Sequence, residues 1–97
     1  MILFHLLQVG WVKADTKAIQ AIGKHVITHN HRVSVSQEDR TKYHLHIINA
    51  SLEESGPYIC QLNTDPMKSQ VILVDTKRPP YTAWGTYKLS FLTKYWS

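Results

Sequence analysis

The segment Glu54-Ser-Gly-Pro-Tyr-Ile-Cys60 decides the fold of this chain. Tyr58, Cys60 and, just beyond the segment, Leu62 are spaced two residues apart, which is the period at which side chains return to one face of a β-strand. The residues ahead of this strand, 51–56, are mostly serine, glutamate and glycine, and they predict a short turn or a single helical turn. The segment therefore predicts a turn that leads directly into a strand with one buried face.

The same two-residue period recurs through most of the chain, in short segments separated by turn residues. No segment shows apolar residues at the 3.6-residue spacing of a helix over enough positions to predict one. The remaining predicted strands are Val9–Ala14, Ala18–Ile22, His25–Thr28, Arg32–Ser36, Tyr43–Ile48 and Ser69–Val74. Short strands at this spacing predict an all-β antiparallel sandwich or barrel.

Three features in chain order favour an immunoglobulin-like sandwich. Trp11 lies in an early predicted strand, Arg32 opens a middle one, and Tyr58-x-Cys60 lies in a late one. In immunoglobulin domains a strand-C tryptophan packs on the inter-sheet disulfide, and the tyrosine two residues before the second cysteine forms a corner. The run Glu54-x-Gly56-x-Tyr58-x-Cys60 is close to the usual Asp-x-Gly-x-Tyr-x-Cys pattern. We therefore predict structural roles for Trp11, Arg32, Glu54, Gly56, Tyr58 and Cys60, with an ion pair between Arg32 and Glu54.

Several runs of the chain resemble a particular group of immunoglobulin domains. They are Gly10-Trp-Val-Lys-Ala-Asp-Thr-Lys-Ala-Ile19, His25-Val-Ile-Thr-His-Asn30, Arg32-Val-Ser-Val-Ser36 and Cys60-Gln-Leu-Asn-Thr-Asp-Pro-Met-Lys-Ser69. Over residues 9–74 the chain resembles the first, variable-type domain of insect lachesin-like proteins, which include the partners of the defective-proboscis-extension-response receptors. The resemblance implies a neuronal cell-surface adhesion domain that is extracellular. It also implies binding through strands C, C′, F and G to an immunoglobulin-domain cell-surface protein, either a different protein or a second copy of the same one.

The chain departs from that group at both ends. In the group, strands A and B precede the tryptophan, and strand B carries the first cysteine; here ten residues precede Trp11 and none is cysteine. We therefore expect a sandwich that lacks strands A and B, truncated at both ends. Cys60 is then an unpaired thiol, without the roughly 2–4 kcal/mol that a disulfide typically contributes. The strand around Leu45 is expected to lose its neighbour and expose a sheet edge.

Composition divides the chain into three parts. The 97 residues suffice for one domain, and a single cysteine excludes an internal disulfide. Residues 1–75 carry seven basic and seven acidic side chains, whereas residues 76–97 carry four basic and no acidic ones, so the net charge of +4 lies entirely in the tail. That tail also holds six of the ten aromatic residues. We predict a divergent N-terminal segment (1–8), a partial immunoglobulin-like domain (9–75) and a basic aromatic tail (76–97).

The N-terminal apolar run Met1–Leu7 resembles part of a signal peptide. It lacks a basic lead and a small-residue cleavage site, and it is too short to span a bilayer. We therefore expect an apolar segment packed on the body, and no membrane span in this chain.

Strand alternation also predicts a partner interface. If Trp11 and Cys60 point inward, their strand neighbours point outward. An apolar centre with polar neighbours is typical of an adhesion interface. The predicted interface residues are Val12, Ile19, Gln61, Asn63 and Met67.

An alternative function rests on the tail. Its lysines and aromatic residues could bind single-stranded nucleic acid by stacking or lie on a membrane surface. However, four charges over 22 residues are sparse for an electrostatic site. The run Tyr87–Leu92 also alternates as a strand does, and could instead pair with the exposed sheet edge. We therefore expect no nucleic-acid partner.

Neither catalysis nor metal binding is predicted. Cys60 as a nucleophile would need a base and an accessible position, and the inward side of a strand offers neither. The pairs His29/His31 and His44/His46 lack a third ligand at suitable spacing, which zinc normally requires. We expect a solvated strand surface at these histidines and no cofactor.

Asn49-Ala-Ser51 is an acceptor motif for N-glycosylation. For a chain that enters the secretory pathway, it predicts a glycan at Asn49.

Overall fold

The computed structural model describes residues 8–77 and 86–92, and within them the chain forms two antiparallel sheets. The strands are β1 (Val9–Lys13), β2 (Ala18–Ile22), β3 (His25–Val26), β4 (Val33–Glu38), β5 (Lys42–Ile47), β6 (Gly56–Leu62), β7 (Lys68–Val74) and β8 (Tyr87–Leu92). A single 3₁₀ turn, Leu52–Glu54, joins β5 to β6. The predicted all-β antiparallel sandwich is confirmed.

The larger sheet has the strand order β3-β2-β1-β6-β7, and the smaller has β4-β5-β8. The larger sheet has the arrangement C″-C′-C-F-G of a variable-type immunoglobulin domain, with β1 as strand C and β6 as strand F. In the smaller sheet β4 and β5 correspond to strands D and E. Within the described residues β1 is the first strand.

The core lies between the two sheets and is built from the inward side of each strand. Trp11 and Cys60 lie directly opposite each other in the β1–β6 pair and expose 1% and 0% of their surface. From the smaller sheet, Leu45, Ile47 and Phe91 reach the same core and are fully buried. The apolar residues that recur every second position in the sequence are therefore the ones that are buried in these strands.

β8 supplies the neighbour of β5 that the sequence left open. Tyr87–Leu92 pairs antiparallel with Lys42–Ile47 over six residues. Its alternate residues Tyr87, Leu89 and Phe91 are buried, whereas Lys88 is exposed. The expected exposed edge at Leu45 is thus covered by part of the tail. The remaining tail aromatics, Tyr81, Trp84, Tyr95 and Trp96, and the N-terminal run 1–7 lie outside the described residues.

A β-bulge in the β1–β2 pair changes which residues face outward. Trp11 pairs with Ala21 and Val12 with Ile19, so that Gln20 is the extra residue between them. Ala21 and Gln20 are both buried, at 0% and 4% exposure. A bulge inserts one residue into one strand and shifts the alternation beyond it.

Candidate partner interface

The outward face of the larger sheet carries rows of side chains that the strand register sets side by side. One row runs across four strands as Ile19, Val12, Ile59 and Val71. The adjacent row runs as Ile22, Gly10, Gln61 and Ser69. The side chains of the first row are all apolar. The second row contains Gly10, which has no side chain.

A depression of about 180 Å³ lies around Gly10 on this face. Its lining residues are Gln8, Gly10, Trp11, Val12, Ile19, Ile22, Gln61, Asn63 and Met67. The structure therefore brings together all five side chains that the sequence suggested as an interface. A Cβ added at Gly10 would meet no atom within 4 Å, so the missing side chain leaves open space at this point.

The lining of the depression combines apolar side chains with amide side chains. Ile19, Ile22 and Met67 are 45%, 38% and 60% exposed, which is high for large apolar side chains. Among the polar lining residues, the backbone N–H of Gln8 donates to Oδ1 of Asn63 at 2.8 Å. None of the lining residues carries a formal charge. This surface suits an apolar side chain of a partner, ringed by polar contacts.

The sequence prediction missed part of this face. Gln8, Gly10 and Ile22 also line the depression. Val71 and Leu73 on β7 are 63% and 72% exposed and extend the outward apolar surface beyond it. The alternation of β7 alone places Val71 and Leu73 on the same side as Ser69, and that signal could have identified them.

A separate cluster of polar contacts holds the turn that leads into β6. Glu54 is 3% exposed, and Nη1 of Arg32 lies 3.5 Å from its Oε2. Its carboxylate also accepts hydrogen bonds from the Ser51 N–H and hydroxyl, at 2.6 and 2.8 Å, and from Asn30 Nδ2 at 3.0 Å. The contact predicted between Arg32 and Glu54 is present, and the sequence missed Asn30 and Ser51.

These contacts decide the ionisation of Glu54. Desolvation raises the pKa of its carboxyl, but the hydrogen bonds from Ser51 and Asn30, together with the charge of Arg32, outweigh it, and the net pKa is lowered. The carboxylate form is therefore the one that fits this site.

Gly56 and Tyr58 complete the entry into β6. Gly56 has φ of 129°, a conformation that L side chains rarely adopt, and a Cβ there would lie 3.0 Å from Oδ2 of Asp15. Tyr58, 1% exposed, donates from Oη to the backbone carbonyl of Glu54 at 2.9 Å. This is the arrangement of an immunoglobulin tyrosine corner.

Cys60 is a buried free thiol. Burial raises the pKa of its Sγ–H well above its ordinary value, so the thiol stays protonated at neutral pH. The nucleophile is the thiolate, and it is absent here under ordinary conditions.

The histidines on β5 differ from the solvated surface that the sequence predicted. His44 points outward, yet it is only 6% exposed because it lies between two neighbours. Its Nδ1 is 2.9 Å from Oγ of Ser90, and its Nε2 is 3.1 Å from Oε1 of Glu38. His29 and His31 are exposed. Within residues 8–77 and 86–92, no group of three or more His, Cys, Asp or Glu side chains is placed to hold a metal ion.

Within residues 86–92, the aromatic side chains of the tail pack in the core of the sandwich. Tyr87 and Phe91 are buried in the sandwich, so neither ring is free to stack on a base. Lys88 is the basic side chain of β8, and it is exposed. In the described part of the chain there is also no helix of the length and apolarity that a bilayer crossing requires.

The strand order, the Trp11–Cys60 pair and the tyrosine corner define an immunoglobulin domain of the variable type. No protein-family model and no curated protein matches the chain, but solved structures do. A structure of Dpr1 IG1 bound to DIP-eta IG1 matches with 38% identity and a TM-score of 0.65, over 68% of this chain and 63% of that one.

Two further structures agree with this match. One is Dpr11 IG1 bound to DIP-gamma, with 38% identity and a TM-score of 0.69, over 72% of this chain and 35% of that one. The other is DIP-gamma IG1+IG2, with 39% identity and a TM-score of 0.64, over 68% of this chain and 32% of that one. The chain thus spans less than two thirds of each relative's length. It carries an immunoglobulin domain similar to the first immunoglobulin domains of Dpr and DIP proteins, as the sequence motifs predicted.

Proposed function

We propose that this chain is a cell-surface recognition domain that binds an immunoglobulin domain of another protein. Its binding face is the outward side of β1, β2, β6 and β7, centred on Val12, Ile19, Gln61, Asn63 and Met67. The role is extracellular and belongs to neuronal wiring, and it involves binding without catalysis. The single observation that carries the proposal is the depression on this face, which is lined by apolar and amide side chains and by no charged one.

Two further facts support the proposal. The similar proteins were solved in complexes, such as Dpr1 IG1 with DIP-eta IG1 and Dpr11 IG1 with DIP-gamma. The strand register sets the exposed Ile19 and Val71 in one row through Val12 and Ile59, and the exposed Leu73 follows Val71 on the same side of β7. A contiguous exposed apolar surface of this kind is typical of interaction sites.

A direct binding measurement tests this function. The purified chain is passed over immobilised first immunoglobulin domains of Dpr and DIP proteins, and affinity is read by surface plasmon resonance. Ile19→Asp places a charge in the depression and is expected to weaken binding by about 30-fold, the effect of losing a hot spot of about 2 kcal/mol.

Ile48→Asp is the matched control. Ile48 has nearly the same exposure as Ile19, 50% against 45%, but does not line the depression. Its variant is expected to bind as the unmodified chain does. Equal affinity for the Ile19 and Ile48 variants would show that binding uses another face, and no binding to any partner domain would refute the function.

We also propose that Asn49 carries an N-linked glycan when the chain is secreted. Asn49 is exposed in the turn after β5, where its φ is 50°. Asn49 follows a strand of the smaller sheet and does not line the depression on the larger sheet. A glycan at Asn49 is therefore compatible with binding. Secretion from an insect cell line should give a product whose mass falls on treatment with an N-glycosidase, and Asn49→Gln should abolish that change.

A further inference from the structure

The outward face of the smaller sheet carries two histidines with different surroundings. His44 and His46 lie two residues apart on β5, and their ring centroids are 6.0 Å apart. On β8, Ser90 lies opposite His44 and Lys88 lies opposite His46. We propose that this face is an acid-sensitive switch: protonation of His46 sets a positive charge opposite Lys88 and weakens the pairing of β8 with β5.

His44 can take up a proton without losing a contact. Its Nε2 lies 3.1 Å from Oε1 of Glu38, and its Nδ1 lies 2.9 Å from Oγ of Ser90. When His44 is neutral, its Nε2–H donates to the carboxylate and its Nδ1 accepts from the Ser90 hydroxyl. When it is protonated, both ring nitrogens donate and the hydroxyl oxygen accepts. The Glu38 carboxylate then balances the added charge.

His46 gains its charge next to other positive groups. Its Nε2 lies 2.7 Å from Oγ of Ser36, and Lys88 is its register partner on β8. The sequences of β4, β5 and β8 together contain one acidic residue, Glu38, and that residue contacts His44. A proton on His46 therefore faces the charge of Lys88, and that of His44 once His44 is also protonated.

The other charged residues around this sheet lie away from His46. Ser34 is the register partner of His46 on β4. Arg32 precedes β4, and its Nη1 lies 3.5 Å from Oε2 of Glu54. The charged residues at the turn end of the β4–β5 hairpin, opposite to the end near His46, are Glu38, Asp39, Arg40 and Lys42.

The sign of the pH dependence follows from the surroundings of His46. Desolvation lowers its pKa from the ordinary value of 6.5, and the charges of His44 and Lys88 lower it further. The unfolded chain therefore takes up this proton at a higher pH than the folded chain. The stability that neutral His46 contributes is fully present above about pH 6.5 and is lost as the pH falls from there through the folded-state pKa.

β8 is the strand on which this charge acts. It is the outer strand in the order β4-β5-β8, whereas β5 has a neighbour on each side. Like charges directly opposite each other on paired strands are destabilising. Because Tyr87, Leu89 and Phe91 of β8 are buried in the core, weaker pairing of β8 increases the access of water to that core.

Hydrogen exchange of backbone amides tests the switch. Protection factors in β8 and in β6, the reference strand in the other sheet, are measured by NMR at pH 7.5 and pH 5.5, with correction for the intrinsic exchange rates. We expect protection in β8 to fall about fivefold relative to β6 at the lower pH, the effect of one like-charge pair across two strands. An equal change in both strands, or none in β8, would overturn the switch.

Three variants connect the effect to His46. His46→Gln keeps a polar side chain beside Ser36 but carries no charge at either pH, and Lys88→Gln removes the charge on the opposite strand. Either substitution should abolish the fivefold fall. His31→Gln, at an exposed histidine outside this sheet, should leave it unchanged. A fall that persists in both His46→Gln and Lys88→Gln would also overturn the proposal, and protection in β6 shows whether each variant is folded.

Discussion

The phenolic oxygen of Tyr58 donates a 2.9 Å hydrogen bond to the backbone carbonyl of Glu54, four residues earlier in the chain. Burial raises the pKa of Tyr58, so the phenol keeps its proton at all ordinary pH values. The bond closes the turn Leu52–Glu54 onto the start of β6. It therefore fixes the strand that carries both Cys60 and Gln61, one on each face of the sheet.

Removing this hydroxyl tests the corner. Tyr58→Phe keeps the ring in the core but leaves the carbonyl of Glu54 without its donor. We expect a loss of about 1–2 kcal/mol in the free energy of unfolding, the cost of an unsatisfied buried acceptor. The measurement is urea unfolding followed by tryptophan fluorescence. Tyr43→Phe, at a half-buried tyrosine, is the comparison; an equal loss in both variants would contradict a special role for the corner.

The pH dependence of stability should depend on Glu54. Its pKa in the folded chain is lowered from the ordinary value of 4.5, so the folded state favours the carboxylate. Stability from this group is fully present above about pH 4.5 and is lost as the pH falls through the lower folded-state pKa. Glu54→Gln should cost about 2 kcal/mol at pH 7, and the difference from the unmodified chain should shrink in acid.

Glu53→Gln is the control for that titration. Glu53 lies in the same 3₁₀ turn but is exposed. Denaturant unfolding at pH 7, 5 and 3 gives the two curves. A Glu54→Gln penalty that stays constant from pH 7 to pH 3 would contradict the proposed ionisation.

The thiol of Cys60 should report on the integrity of the sandwich. It is fully buried opposite Trp11, and its pKa is raised by burial, so the reactive thiolate is inaccessible in the folded chain. We expect labelling by a disulfide reagent to be slow in native buffer and immediate in concentrated guanidinium. Across the urea transition, the labelling rate should follow the unfolded fraction. Rapid stoichiometric labelling of the native chain would mean that the core around Cys60 is open.

The sequence predicted the strands well because alternation between apolar and polar residues directly reflects a sheet with one buried face. It also predicted the face that carries Val12 and Gln61, since both follow from parity relative to Trp11 and Cys60. It did not predict Ile22, because in a regular strand Ile19 and Ile22 would lie on opposite faces. The bulge at Gln20 brings both to the outward face, and a bulge depends on the pairing of two strands.

The position of β8 shows a second limit of the sequence. The alternation in Tyr87–Leu92 predicts a strand, but period alone does not say which sheet edge the strand joins. That depends on which edge lacks a partner once the rest of the chain has folded. His44 was misjudged for the same reason: its burial comes from Ser90 and Glu38 on the adjacent strands, and its own neighbours in sequence give no sign of it.

The contribution of β8 to stability is the strongest test of this architecture. Phe91 is fully buried in the core, whereas Lys88, three residues earlier on the same strand, is exposed. Phe91→Ala should lower the free energy of unfolding by about 3–5 kcal/mol, and Lys88→Ala should change it by less than about 0.5 kcal/mol. Because small domains have only about 5–15 kcal/mol in total, Phe91→Leu provides a milder variant, with an expected loss of less than about 1.5 kcal/mol. Urea unfolding of the three variants gives the comparison. If the Phe91 variants unfold at the same urea concentration as Lys88→Ala, then β8 does not close the sandwich.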